Sequence, residues 1–195
     1  MEHLTNGVAG SISKCGSITM KRVETGLPGV VIIEPEPISD ARGFFARTWC
    51  RSTFSSWGLA TDFSQCSLSF NRQKGIVRGM HFQHEPFAEV KLVRCIQGAI
   101  LDVAIDIRPG SPTRFQSTAV ELTASNRRAL YIPSGFAHGF QTLEPNSEVL
   151  YQISGDYVAS ASSGCRFDDP AVRISWPLPV EMTSQRDRSW PDLLP

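Results

Sequence analysis

The sequence predicts an all-β fold, a sandwich or a barrel, on three observations. Short runs rich in β-branched and aromatic residues recur at roughly 8–12-residue spacing. Turn compositions such as Arg108-Pro109-Gly110-Ser111-Pro112 and Glu144-Pro145-Asn146-Ser147 separate them. The run at residues 100–108 alternates strictly: Leu101, Val103, Ile105 and Ile107 share one side, while Asp102, Ala104, Asp106 and Arg108 share the other.

Taken in chain order, residues 1–25 carry Gly, Ser and Thr with little periodicity and read as a flexible tail. Residues 26–195 read as one domain, without internal repeat or linker. Its first strand is Gly29-Val30-Val31-Ile32-Ile33, a β-branched run. Further strands are expected over residues 43–48, 62–70, 75–83, 90–97, 99–108, 117–122, 128–132, 139–143 and 148–154. Residues 51–58, with Phe54 and Trp57 three apart, read as a short peripheral helix. On the 99–108 strand the apolar side packs into a core. The acidic side meets either solvent, the ordinary outcome, or a polar barrel interior.

Composition narrows the function class. Lysine plus arginine number 19, as do aspartate plus glutamate, so the net charge gives no reason to expect nucleic acid or an anionic membrane as partner. Apolar runs are far too short to cross a bilayer, and the N-terminus lacks the order of a signal peptide. Five scattered cysteines (Cys15, Cys50, Cys66, Cys95, Cys165) without a CxxC pair read as reduced thiols of a cytoplasmic protein.

Two clusters can carry chemistry. The first is Arg78-Gly79-Met80-His81-Phe82-Gln83-His84, followed by Lys91. The second, Ile132-Pro133-Ser134-Gly135-Phe136-Ala137-His138-Gly139-Phe140, has a Pro-x-Gly-x-x-His spacing that resembles the second motif of cupin barrels. That resemblance implies a double-stranded β-helix, or jelly-roll barrel, with an open mouth and short peripheral helices. Cupins commonly bind a metal, but the first motif does not suit one. His81 and His84 point to opposite faces of a regular strand. The Lys91 ammonium would be repelled by a cation. Without a metal, a histidine, a lysine and a tyrosine can move a proton next to a carbonyl. Histidine is suited to general-base work near neutrality, which makes His81 the candidate base; Lys91 can hold an enolate oxygen, and Tyr151 can return a proton from the opposite face.

Several motifs in one order resemble the dTDP-4-dehydrorhamnose 3,5-epimerases, from about Val30 to Asp187. These are Asp40-Ala41-Arg42-Gly43-Phe44-Phe45, Arg78-Gly79-Met80-His81-Phe82-Gln83, Lys91-Leu92-Val93-Arg94-Cys95, Asp102-Val103-Ala104-Ile105-Asp106-Ile107-Arg108, the stretch from Pro133 to Phe140, and Ile174-Ser175-Trp176-Pro177. The resemblance implies His81 as base, Asp187 as the carboxylate that orients it, Lys91 as enolate partner and Tyr151 as proton donor. It implies substrate contacts at Arg42, Gln65, Arg78, Lys91, His138, Tyr157 and Arg186. The chain departs from the family at Arg47, commonly glutamate, and at Ser67, commonly asparagine. Both positions bear on nucleotide or sugar recognition. Also implied are a nucleoside-diphosphate deoxysugar substrate, no cofactor and no metal, a homodimer, and a place in deoxysugar or polysaccharide biosynthesis. Two other readings stay open on the residues alone: a metal-dependent cupin isomerase or dioxygenase, and a sugar-nucleotide binding module without catalysis.

Overall fold

A computed structural model describes residues 18–193 of the chain. In chain order the strands are β1 (Met20–Glu24), β2 (Val31–Pro35), β3 (Ile38–Asp40), β4 (Gly43–Phe45), β5 (Gln65–Asn71), β6 (Val77–Gln83) and β7 (Lys91–Gln97). They continue with β8 (Ala99–Asp106), β9 (Ser117–Thr123), β10 (Ala129–Ile132), β11 (Phe136–Thr142), β12 (Ser147–Ile153) and β13 (Ser162–Gly164). Two short helices, α1 (Arg51–Ser56) and α2 (Gln185–Arg188), complete the described elements.

Two sheets face each other as a jelly-roll barrel: one runs β1-β2-β10-β7-β12-β5, the other β13-β6-β11-β8-β9. A separate hairpin pairs β3 with β4. The inward residues of both sheets meet in one core, with Val93, Leu130, Ile132 and Val149 facing Ile100, Leu122, Phe136 and Phe140. Each sheet is covered outside as well. Phe54 of α1 packs with Val31, Ile33, Leu92 and Tyr131 behind the six-stranded sheet. Met80, Val103, Ile105, Ala137, Cys165 and Val172 cluster behind the other. Central strands such as β11 are buried at every position, because neither face of their sheet meets water.

The strand pattern expected from sequence is present, with four differences. The stretch read as tail contains β1, which pairs antiparallel with β2 from Met20↔Pro35 to Glu24↔Val31; residues 1–17 of that stretch lie outside the described residues. Three elements are not among those expected from the sequence: β3, β13 and α2. The helix expected over 51–58 ends at Ser56, and Gly58 closes its turn at a φ of +70°. On β8 the acidic side faces the barrel interior, where Asp102 and Asp106 are fully buried. Asp106 accepts from Arg108 Nη2 at 2.7 Å and from the hydroxyls of Ser111 and Thr113 at 2.6 Å each, which closes the 108–113 turn. Four cysteines, Cys50, Cys66, Cys95 and Cys165, are free among the described residues.

Candidate active site

A group of inward polar side chains lines a cavity of about 300 Å³ between the two sheets. His81 reaches it from β6, Lys91 from the start of β7, His138 from β11 and Tyr151 from β12. Lys91, His138 and Tyr151 lie on inward faces that elsewhere supply the core. The same alternation therefore builds packing at one end of the barrel and chemistry at the other.

Arg78 and His81 are three residues apart, which on a regular strand puts them on opposite faces. The register resolves this: His138 lies opposite His81 and Phe140 opposite Arg78, so three steps on β6 match two on β11. The extra residue is a bulge, and it turns both side chains into the cavity. Gly79 sits in it at φ +131°, and a Cβ there would stand 2.5 Å from the Cα of Gly139. Only glycine satisfies both demands.

Asp187 comes to His81 from 106 residues away, at 2.7 Å between Oδ1 and Nε2. The delivering segment is tied to β6 and β11 by backbone contacts. Val77 N–H donates to the Met182 carbonyl at 2.9 Å, Glu181 N–H to that of Gly75 at 3.0 Å, and Gln141 bonds both polar backbone groups of Leu178. Ser184 then caps α2, its Oγ accepting from Asp187 N–H at 3.0 Å. Ser184-Gln185-Arg186-Asp187 has the Ser-x-x-acid spacing of a helix start, which was the available signal for this element.

The Asp187 side chain is 5% exposed and that of His81 42%. Burial alone would raise the Asp187 pKa, but hydrogen bonds from His81, Gly79 N–H and Ser184, with the attraction of His81, hold it below the ordinary carboxylate value. A charged carboxylate at Nε2 assigns the ring proton there. Nδ1, which has no hydrogen-bond partner among the described residues, is left as the nitrogen with a free lone pair.

On the opposite wall, the Tyr151 hydroxyl also has no hydrogen-bond partner among the described residues. Desolvation, with the nearby Asp102 charge, pushes its phenol far above the usual value, so it holds its proton. Its ring lies 5.9 Å from the His138 ring, edge to face. His138 Nε2 is 2.7 Å from Asp102 Oδ1, a second histidine–carboxylate pair that the sequence reading did not contain. Asp102 Oδ2 has no hydrogen-bond partner among the described residues, and desolvation raises the Asp102 pKa against the pull of His138 and Lys91.

Other expected positions divide. Ser67, Arg78, Tyr157 and Arg186 line the same cavity. Arg186 donates to Ser162 Oγ at 2.9 Å and reaches the Tyr157 hydroxyl at 3.5 Å. Gln65 does not line it; its amide donates to the Gly155 carbonyl. Arg42 lies on the β3–β4 hairpin, paired with Asp40 at 2.6 Å and turned to solvent, and Arg47 donates to the Ile18 carbonyl at 3.2 Å. Neither arginine reaches the cavity of its own chain, because the hairpin stands outside both sheets. His84 lies past the end of β6 and is exposed, apart from His81. Among the described residues no three His, Cys, Asp or Glu side chains gather as metal ligands.

The cavity thus joins a carboxylate-oriented imidazole, a buried ammonium and a protonated phenol, with Arg78 and Arg186 at its edge. A model of the dTDP-4-dehydrorhamnose 3,5-epimerase family matches residues 24–194. The chain is similar to the dTDP-4-dehydrorhamnose 3,5-epimerase of Sinorhizobium fredii, 41% identical over 169 residues that cover 84% of this chain and 85% of the relative. It superposes on the dTDP-4-dehydrorhamnose 3,5-epimerase of Bacillus anthracis, solved with TDP and PPi bound, at a TM-score of 0.87 and 38% identity, covering 90% of this chain and 100% of that one. The Legionella pneumophila dTDP-6-deoxy-D-glucose-3,5-epimerase, solved with dTDP-4-keto-L-rhamnose, gives a TM-score of 0.83 and 34% identity, covering 88% and 92%.

Proposed function

As the chain belongs to the dTDP-4-dehydrorhamnose 3,5-epimerase family, we propose that it inverts carbon 3, carbon 5 or both of a dTDP-4-keto-6-deoxyhexose, by proton abstraction and return through an enolate. The observation that carries this reading is the opposition, across one cavity, of His81 with its Asp187 partner and the protonated Tyr151, with the Lys91 ammonium between the same walls.

The steps follow from the groups. His81 Nδ1 takes the proton from a carbon next to the 4-keto group, and Asp187 stabilises the imidazolium that forms. The electron pair moves onto the keto oxygen, where a Lys91 N–H meets the developing charge. Tyr151 gives its proton to the other face of the carbon, which inverts it, and solvent restores both groups. The substrate's own carbonyl is the electron sink, so the reaction calls for no cofactor or metal. Arg78 and Arg186 suit diphosphate oxygens. His138, Ser67 and Tyr157 supply further contacts to sugar and base.

A homodimer fits the exposed apolar surface outside the barrel: Phe45 of the hairpin and Leu68 of the edge strand β5 are each 65% exposed. A second copy covering such surface would give Arg42 and Arg47 a cavity to serve, and Gln65 a place at its rim. Light scattering after gel filtration tests the assembly. The absence of any described helix long and apolar enough to span a membrane agrees with work in the cytoplasm, on a sugar bound for a polysaccharide or glycoside.

The direct test is incubation with dTDP-4-keto-6-deoxyglucose in deuterated water, read carbon by carbon by NMR. Deuterium enters at carbon 3, carbon 5 or both, and His81→Asn abolishes it. Exchange that is unchanged in His81→Asn refutes the assignment of the base.

A further inference from the structure

Beside the ammonium that faces the cavity the chain places a largely buried carboxylate. Side-chain exposures are 8% for Lys91 and 11% for Glu89, and Glu89 Oε1 lies 3.0 Å from Lys91 Nζ. Glu89 Oε2 accepts from Gln83 Nε2 at 2.7 Å. Gln83 is itself fixed: its Nε2 also meets the carbonyls of Phe87 and Asp156, both at 3.1 Å, and its Oε1 accepts from Val158 N–H at 2.7 Å. The other acceptor for Lys91 is the His81 carbonyl, 3.3 Å from Nζ. An ammonium carries three N–H donors. Glu89 and the His81 carbonyl take two of them, which leaves one for the cavity.

A lysine side chain is a flexible four-carbon stem, and its rotamer entropy opposes holding it in one place. A donor that stabilises developing charge works best when it is already in position, because no reorganisation is then needed as the charge forms. Glu89 is also the carboxylate of this cavity wall that neither histidine uses, so its charge is free for the lysine.

We propose that Glu89 is a positioning residue of the epimerase reaction: its carboxylate, held by Gln83, fixes the Lys91 ammonium so that one N–H points at the forming enolate oxygen. The inference rests on the role given to Lys91 above. It specifies what position 89 must supply, which is two acceptors. An amide there supplies one: with its oxygen on Lys91, its N–H2 faces the N–H2 of Gln83. Leucine supplies none at similar volume.

The test compares kcat and KM on dTDP-4-keto-6-deoxyglucose for the wild type, Glu89→Gln, Glu89→Leu, Lys91→Met and the Glu89→Leu/Lys91→Met double variant, with a thermal melt of each. Glu89→Leu is expected to lower kcat by about 30-fold or more with KM within about threefold, as a displaced catalytic group does. Glu89→Gln falls between it and the wild type. In the Lys91→Met background the leucine adds no further loss, since the group it positions is gone. Where Glu89→Leu folds poorly around an unpaired ammonium, Glu89→Gln with and without Lys91→Met carries the same comparison. Wild-type kcat in Glu89→Leu, or the same fold loss on both backgrounds, overturns the proposal and leaves Lys91 untouched. Wild-type turnover in Lys91→Met overturns the Lys91 assignment and the role of Glu89 with it.

Discussion

Replacing Asp187 by asparagine tests the arrangement of the base with the least change in shape. Asp187 offers two acceptors: Oδ1 to His81 Nε2 at 2.7 Å, and Oδ2 to Gly79 N–H at 3.3 Å. Asparagine offers one acceptor and one donor, so one of these contacts fails. If the N–H2 turns toward His81, Nε2 must accept, the ring proton moves to Nδ1, and the cavity-facing nitrogen is no longer a base. If it turns toward Gly79, two donors face each other and the imidazolium still loses its counter-charge. At an effective dielectric of ~20, a unit pair at 2.7 Å is worth about 6 kcal/mol. Solvent on a ring that is 42% exposed cuts this roughly in half, to about 3 kcal/mol, or roughly 100-fold in rate. The wrong tautomer adds to that, and a loss of about 10²–10⁴ in kcat is expected. KM and melting temperature should change little, because the side chain keeps its volume and its surroundings. The assay is steady-state turnover together with deuterium entry at the sugar carbons. A variant within about threefold of wild-type kcat would falsify the claim that Asp187 sets the tautomer and charge of His81.

Four further outcomes follow from other parts of the molecule. Tyr151→Phe should cost about 10²-fold or more in inversion while His81 still exchanges the substrate proton with solvent, seen as deuterium entry without epimer formation. The raised phenol of the wild type stays protonated on the alkaline side, so no loss of activity below about pH 10 should trace to Tyr151 in a comparison of pH–rate profiles. Gly139→Ala would put a Cβ 2.6 Å from both the Arg78 carbonyl and Met80 Sδ. It should lower stability by about 1–3 kcal/mol in denaturant titration and reduce kcat, because β6 must move at the bulge that aims His81. Asp106→Asn removes a carboxylate whose pKa is held low: burial opposes its charge, but Arg108, Ser111 and Thr113 outweigh it. Its stabilisation is present above the unfolded value of about 4 and is lost as pH falls toward the lower folded value. The wild type should therefore lose melting temperature below about pH 4 more steeply than the variant, which starts about 2–3 kcal/mol less stable at neutral pH.

The sequence by itself determined what is local. Period-two alternation, β-branched runs and Pro/Gly turns mark most of the strands, since strand and turn propensities act over a few residues. The motifs around His81, Lys91, His138 and Tyr151 named the side chains that meet in the cavity. Tertiary structure decided which faces those strands present and which distant groups pair. The acidic side of β8 could have met water; closure of the barrel turned Asp102 inward to His138. The parity of Arg78 and His81 depended on a bulge whose partner is a different strand, β11. Asp187 sits 106 residues from His81, and no sequence period connects them. Glu89 carried no motif, although residues two apart share a face on an extended stretch and so point the same way as Lys91. The resemblance named Arg42 as a substrate contact, yet its hairpin stands outside the barrel of its own chain. Backbone preference is set by near neighbours, whereas hydrogen-bond partners and burial belong to the closed sheet. For that reason the strands could be read in advance, the Asp187 partner of His81 came only through resemblance, and the pairings of Lys91 with Glu89 and of His138 with Asp102 emerged only once the two sheets had met.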